Sequence, residues 1–158
     1  MNLIPLLHHM AWADDAARRQ LADMPVGSAE RARAERIYAH LVAAEHVWFS
    51  RLTGVAARHG VWPEIDPDEA AALSTDTVAA LVTWVESRSP DELERPIVYR
   101  NSAGTVFENR AIDVVLHLAM HGAYHRGQLA LLARSSGADP ASTDFIAWLR
   151  GAPAPMHE

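Results

Sequence analysis

From Val114 to Leu132, apolar residues return at three- and four-residue steps, the period of one face of an α-helix, and the central slots of that stripe hold His121 and His125. A core-facing stripe ordinarily gives such slots to Leu or Val, so this segment has to be helical and polar inside at once. Residues four apart lie one above the other on a helix, which lets both imidazoles reach a single metal ion. Two adjacent polar intrusions in a buried face need a partner, and it has to come from another element.

The same period runs through three other segments. Leu3, Leu7, Met10, Ala17, Leu21 and Met24 mark a first helix, with Pro5 tolerated near its start because the first backbone donors have no helical acceptor. After the break Pro25-Val26-Gly27-Ser28, a second helix is expected from about Ser28 to Arg58, with Ile37, Leu41, Ala44, Trp48, Leu52 and Val55 on its apolar stripe. Asp66-Pro67-Asp68-Glu69 has the composition of a helix start and opens a third, faced by Val78, Leu81, Val82 and Val85. Ser89-Pro90-Asp91-Glu92 repeats the start signal for a short turn. Ile97-Val98-Tyr99 and Thr105-Val106-Phe107 flank Asn101-Ser102-Ala103-Gly104 as two short strands around a glycine-containing loop. A fourth long helix runs from about Arg110 to Ser136, closed by Gly137 with Pro140 beyond, and Thr143 to Leu149 forms a short capping helix. The expected fold is all-α: a four-helix bundle with a long crossover connection and a small β-hairpin before the last long helix. Bundles of this kind build metal sites from side chains on facing helices.

Composition narrows the chemistry. A chain of 158 residues, 49% of them apolar, suits one domain spanning 1–158 with a core that is stable without staples. It contains no cysteine, so disulfides, thiolate metal ligands and a protein thiol nucleophile are excluded and any metal must take nitrogen and oxygen ligands. A net charge of −6 without a long basic run argues against nucleic acid as a partner. His8, His9, Asp14 and Asp15 interrupt the N-terminal apolar run, which therefore lacks the core of a signal peptide, and no segment is apolar enough to span a bilayer. The expectation is a cytoplasmic protein without a membrane partner.

A third ligand is sought on another core stripe, and the second helix offers two. At about 100° per residue His40 falls within the stripe of Ile37, Leu41, Ala44 and Trp48, whereas His46 points roughly 120° away beside Val42 and Phe49. His40 is favoured, with His46 as an alternative ligand or a supporting group. Three neutral imidazoles leave coordination positions open, as catalytic sites do, and suit zinc or nickel. The metalloprotease pattern H-E-x-x-H shares the His121/His125 spacing, but Gly122 stands where that pattern carries its general base. Arg126 is open to two roles, binding an anionic substrate group or forming a structural ion pair, and Gln128 is placed to orient a ligand or a water. His117, one turn before His121, is placed to hydrogen-bond toward the site. His8, His9, His59 and His157 read as ordinary core or surface residues, Trp12, Trp48, Trp84 and Trp148 as packing, and the Arg18-Arg19 pair and the Arg31 to Arg36 cluster as solvated helix faces.

The stretches MAWADDAA, AHLVAAEHVWFSRLTG, VYRNSAG, LHLAMHGAYHRGQLALL and TDFIAWLR together resemble the DinB-like family of bacterial four-helix metalloproteins over nearly the whole chain. The resemblance implies a divalent metal held by three histidines, which map onto His40, His121 and His125. Members of that family include S-transferases that use low-molecular-weight thiols and a mycothiol-dependent isomerase with a glutamate ligand; His121 and His125 are more similar to the three-histidine branch. Two functions follow from this. One is a metal-dependent enzyme, a thiol S-transferase or hydrolase, acting on a small-molecule substrate with a low-molecular-weight thiol as cosubstrate. The other is a non-catalytic metal-binding or dimeric interaction module. A homodimer is the family-level expectation.

Overall fold

The computed structural model describes residues 2–101 and 103–151, so Ser102 of the expected hairpin loop and His157 lie outside it. Its long helices are α1 (Ile4–Asp23), α2 (Ala29–Thr53), α3 (Pro67–Glu86) and α5 (Ala111–Ser136), with short helices α4 (Pro90–Leu93) and α6 (Phe145–Leu149). The expected local chemistry sets the starts. Pro5 sits in the first turn of α1, the Ser28 side chain accepts from the Arg31 N–H, and Asp66 accepts from the N–H groups of Asp68 and Glu69. Ser89 and Glu92 close a reciprocal capping box on α4, and Gly137 ends α5 in the left-handed conformation at φ 83°. α1 and α2 each pack on both α3 and α5, which makes the bundle.

Two boundaries differ from the sequence expectation. α2 stops at Thr53 rather than near Arg58, because Gly54 adopts φ 75° and donates its N–H to the Ser50 carbonyl. Apolar Val55 had suggested that the stripe continued, yet it is 69% exposed. The chain from Val55 to Asp66 turns back along α2 instead. The hairpin pairs β1 (Pro96–Arg100) antiparallel with β2 (Val106–Arg110), bringing Tyr99 opposite Phe107 and Ile97 opposite Asn109. β2 therefore runs on through Glu108, Asn109 and Arg110, where no alternation marks a strand because every β2 residue is exposed. Tyr99 donates its hydroxyl to Asn109 across the ladder at 2.7 Å.

The bundle interior is two apolar clusters with a polar layer between them. Leu7, Met10, Leu81, Val115 and Leu118 belong to one cluster, and Leu21, Tyr38, Leu41, Leu73 and Leu129 to the other. Between them lie Asp14, Glu45, Ser74, Thr77 and Arg126, all buried. Arg126 Nη1 donates to Asp14 Oδ1 at 2.7 Å with side chains 2% and 1% exposed, and Ser74 donates to Asp14 Oδ2 at 3.3 Å. Neither Glu45 carboxyl oxygen accepts from a donor group among the described residues, and the carboxyl pairs with Asp14 instead. Burial, reinforced by the Asp14 charge, raises the Glu45 pKa well above the carboxylate range; burial raises Asp14 as well, but there the Arg126 guanidinium opposes the rise, so Glu45 takes the neutral form and Asp14 the charge that faces Arg126.

Arg126 reaches Asp14 by folding across Gly122, where an added Cβ would lie 2.7 Å from Nη1. The guanidinium is pinned at its far end by the ion pair and cannot retract. Arg126→Met is expected to cost about 3–5 kcal/mol in urea denaturation, since it leaves an unpaired buried carboxylate. Gly122→Ala should also destabilise the native protein, yet be neutral or stabilising in an Arg126→Met background, where only the helix propensity of Ala remains, about 1 kcal/mol. Additive costs in the double variant would rule out the steric link between Gly122 and Arg126.

Candidate metal centre

α5 and α2 face each other, and at their contact three imidazoles converge. Ring centroids are 4.4 Å apart for His121 and His125, 4.7 Å for His40 and His125, and 5.5 Å for His40 and His121. One ligand atom from each of the three lies within 4.8 Å of the other two, a group able to hold a metal ion. The Nε2 atoms of His121 and His125 face one another at 3.2 Å. Two nitrogens at that separation need a proton or a cation between them.

The outer nitrogens fix the tautomers. His40 donates from Nδ1 to the Val61 carbonyl at 2.6 Å, and His125 donates from Nδ1 to Gln128 Oε1 at 2.9 Å. Each of these rings therefore carries its lone pair on Nε2. Donation of the second ring proton to a carbonyl is the usual support of a metal-binding histidine, because it orients the ring and raises its basicity. His121 Nδ1 is buried without a partner among the described residues. Among the described residues the donor set is three imidazole nitrogens, which fits a metal ion.

The return of the chain after Gly54 supplies much of this support. Val61 reaches His40, and the Trp62 ring stacks on the His40 ring at 3.7 Å with 12° between planes, while remaining 58% exposed. Trp62, isolated between Val61 and Pro63, carries no periodic signal in the sequence. Continuation of α2 to Arg58 would have carried this segment away from His40.

The other candidates are placed elsewhere. His46 accepts from the Arg58 N–H on Nε2 at 3.1 Å and donates from Nδ1 to Thr77 Oγ1 at 3.2 Å, so both nitrogens are engaged away from the three rings. His117 is partly buried between Trp48 and His121, with centroids 5.0 and 5.5 Å away. Gln128 Oε1 accepts from His125 Nδ1 and so orients that ring. Arg126, considered above as an anion contact, is committed to Asp14 and is only 4% exposed, so the structural ion pair accounts for it. A helical residue one position from His125 points about 100° away from it, here into the polar layer. His9 is also structural: its Nε2 pairs with the Thr143 carbonyl at 2.9 Å and its ring meets Phe145 and Trp148 edge-on, which docks α6.

Burial lowers the pKa of His40, with His125 adding to the effect, and pushes His121 down to about 4, where the neighbouring imidazoles His125, His40 and His117 contribute after burial. Below its ordinary value of 6.5, His121 in the unfolded chain binds a proton that the folded chain refuses. Its contribution to the stability of the metal-free protein is thus complete above pH 6.5 and lost as pH falls toward about 4. Urea midpoints taken from neutral pH down to pH 4 should fall across this window, and less steeply in His121→Phe. A slope unchanged by that substitution would remove His121 as its source.

The sequence model described as the DinB family matches residues 2–156. Among characterised proteins, the chain is similar to Protein DinB of Bacillus subtilis (strain 168), with 27% identity over 59 residues. The matched stretch covers 37% of this chain and 34% of that protein, about a third of its length.

Proposed function

The chain belongs to the DinB family, and on that premise we propose that residues 1–158 form one divalent-metal-binding domain, with His40, His121 and His125 as ligands, acting as a metal-dependent enzyme. The observation that carries the reading is the convergence of two Nε2 lone pairs, oriented by Val61 and Gln128, on the third imidazole. Zinc and nickel are the ions that best suit three imidazoles. The chemistry a bound divalent cation supplies here is Lewis acidity, which brings the pKa of a thiol or water toward neutrality. Transfer of a low-molecular-weight thiol to an electrophilic small molecule is the first activity to test, and hydrolysis the second.

The residues around the triad support an open centre. His40 and His125 have their outer nitrogens bonded, which leaves one nitrogen apiece for the ion. Trp62 covers the His40 ring, and Trp62, Tyr124, His125 and Gln128 line a cavity that gives a substrate access. No further carboxylate or histidine joins the three rings among the described residues, so the ligand set does not close.

Protein purified without an affinity tag is expected to carry close to one zinc or nickel per chain. His40→Ala and His121→Ala should lose it, and His46→Ala should keep it. Loss of metal in His46→Ala alone would transfer the third-ligand role to His46. Gln128→Ala is expected to weaken metal affinity roughly 10–100-fold, the usual effect of removing a partner that orients a ligand. For the enzymatic reading, metal-loaded protein should accelerate conjugation of a cellular thiol to a model electrophile, and His121→Ala should abolish the acceleration. Tight metal binding without turnover, on any thiol or ester offered, would leave a metal-binding module instead.

A homodimer is supported by exposed apolar residues on α5, where Met120 and Leu131 are 67% and 64% exposed. Among the described residues no helix is long and apolar enough to cross a membrane, so these two are not part of a span of that kind. Sedimentation at micromolar concentration should give twice the chain mass, and Met120→Glu with Leu131→Glu should return it to one chain.

A further inference from the structure

Of the arginines clustered near the start of α2, Arg31 is spoken for: it donates to Glu35 Oε1 at 2.9 Å and to the Met24 carbonyl at 3.0 Å. Arg33 and Arg36 are different. Both are exposed, and neither forms an ion pair or hydrogen bond within the described residues. They stand three apart on α2 and therefore on neighbouring positions of one helix face, an arrangement of like charges that mildly disfavours the helix. Glu35, next to Arg36 in the sequence, is already held by Arg31, and Glu30, one helical turn before Arg33, forms no ion pair with it among the described residues.

Both arginines line a cavity of about 710 Å³ between the start of α2 and the middle of α5. Trp62 and Tyr124 also line it, and His125 and Gln128 complete its wall beside the three imidazoles. No acidic side chain lines this cavity; the carboxylates near Trp62, those of Glu35, Glu64 and Asp66, line a separate cavity on which Arg36 also borders. The volume falls within the range of sites for small organic molecules, roughly 300–1,000 Å³. Two guanidinium groups that form no ion pair among the described residues, two exposed aromatic rings and His125 line this one cavity.

We propose that this cavity binds an organic anion, with its carboxylate or phosphate on Arg33 and Arg36, its apolar body against Trp62 and Tyr124, and its opposite end directed to His125. Guanidinium groups suit this task because they bind planar oxyanions through paired N–H donors. The anion contact stands independently of any metal, while the role of the end at His125 rests on the metal-centre reading above. The cation that an anionic substrate requires is thereby found on α2 and not at Arg126, which is sealed in the core.

The test uses the full chain, metal-free and zinc-loaded, with naphthoate, naphthyl phosphate and naphthamide as probes in calorimetric titration. Both anions, or one of them, should bind about tenfold or more tightly than the neutral amide, the scale of one charge-assisted contact. Comparison of the two anions identifies the preferred group. Arg33→Ala with Arg36→Ala should remove that preference and leave zinc affinity and helical content unchanged, since both residues are exposed. Equal binding of the amide and the anions, or an unchanged anion affinity in the double variant, would overturn the proposal. If zinc fails to bind while the arginine-dependent preference for anions persists, the metal centre falls and the anion site stands.

Discussion

The ion pair between Arg126 and Asp14 sets the rotation of α5, and the candidate site follows from that rotation. Arg126 is fully inside the bundle and its guanidinium meets α1, so the face of α5 that turns toward Asp14 is fixed. His125 is the preceding residue, about 100° around the helix, and His121 lies one turn before it. With Arg126 directed at α1, both imidazoles are directed at α2, where His40 waits. Gly122 is the condition for this arrangement, because the guanidinium passes over the place where a side chain would begin. A glutamate at this position, as in the H-E-x-x-H proteases, has no room.

Stability and site geometry are linked through the polar layer. The layer interrupts the apolar core at mid-height, and a buried charge pair there is weak evidence of net stabilisation, since desolvation offsets the attraction. Its structural consequence is specificity of register: a slip of α5 by one residue would bury an unpaired arginine and break both His pairings. Glu45 contributes without charge, since its neutral form avoids a second buried carboxylate beside Asp14. The other half of the site hangs on a single left-handed residue. Gly54 ends α2 early, and only then can the following chain run back to set Val61 against His40 and Trp62 over its ring.

Features written in local patterns were legible in the sequence. Helix starts at Ser28, Asp66 and Ser89 follow from capping chemistry within four residues, and the paired slots of His121 and His125 follow from the helical period. The preference for His40 over His46 needed only the angle between them on α2. What escaped was set by contacts distant in the chain. Arg126 finds Asp14 across 112 positions, and no periodicity distinguishes an arginine that turns inward from one that snorkels. Trp62 acquires its place from the turn at Gly54, whereas the apolar Val55 suggested that α2 continued. β2 extends beyond its expected end because its exposed residues are paired through the backbone, which leaves no trace in side-chain alternation. Arg33 and Arg36 resemble any solvated helix face until the fate of each neighbouring acid is known.

Charge ties the cavity to the rest of the molecule. The chain carries a net charge of −6, so an anionic ligand approaches a surface that on average repels it. The cavity inverts this locally, since two arginines line it and no acid does. Three neutral imidazoles would add no negative charge to a cation held among them, in contrast to a site with a glutamate ligand, and so would leave its positive charge uncancelled. Arg33 and Arg36 supply positive charge at the outer end. Trp62 and Tyr124 are more than half exposed, so water screens the two ends from each other and each acts on a ligand locally. On the proposed reading a neutral ligand gains from neither end, whereas an anion gains from the arginines and from a cation held at the imidazoles, which makes ligand charge, more than ligand shape, the property that the proposed site selects.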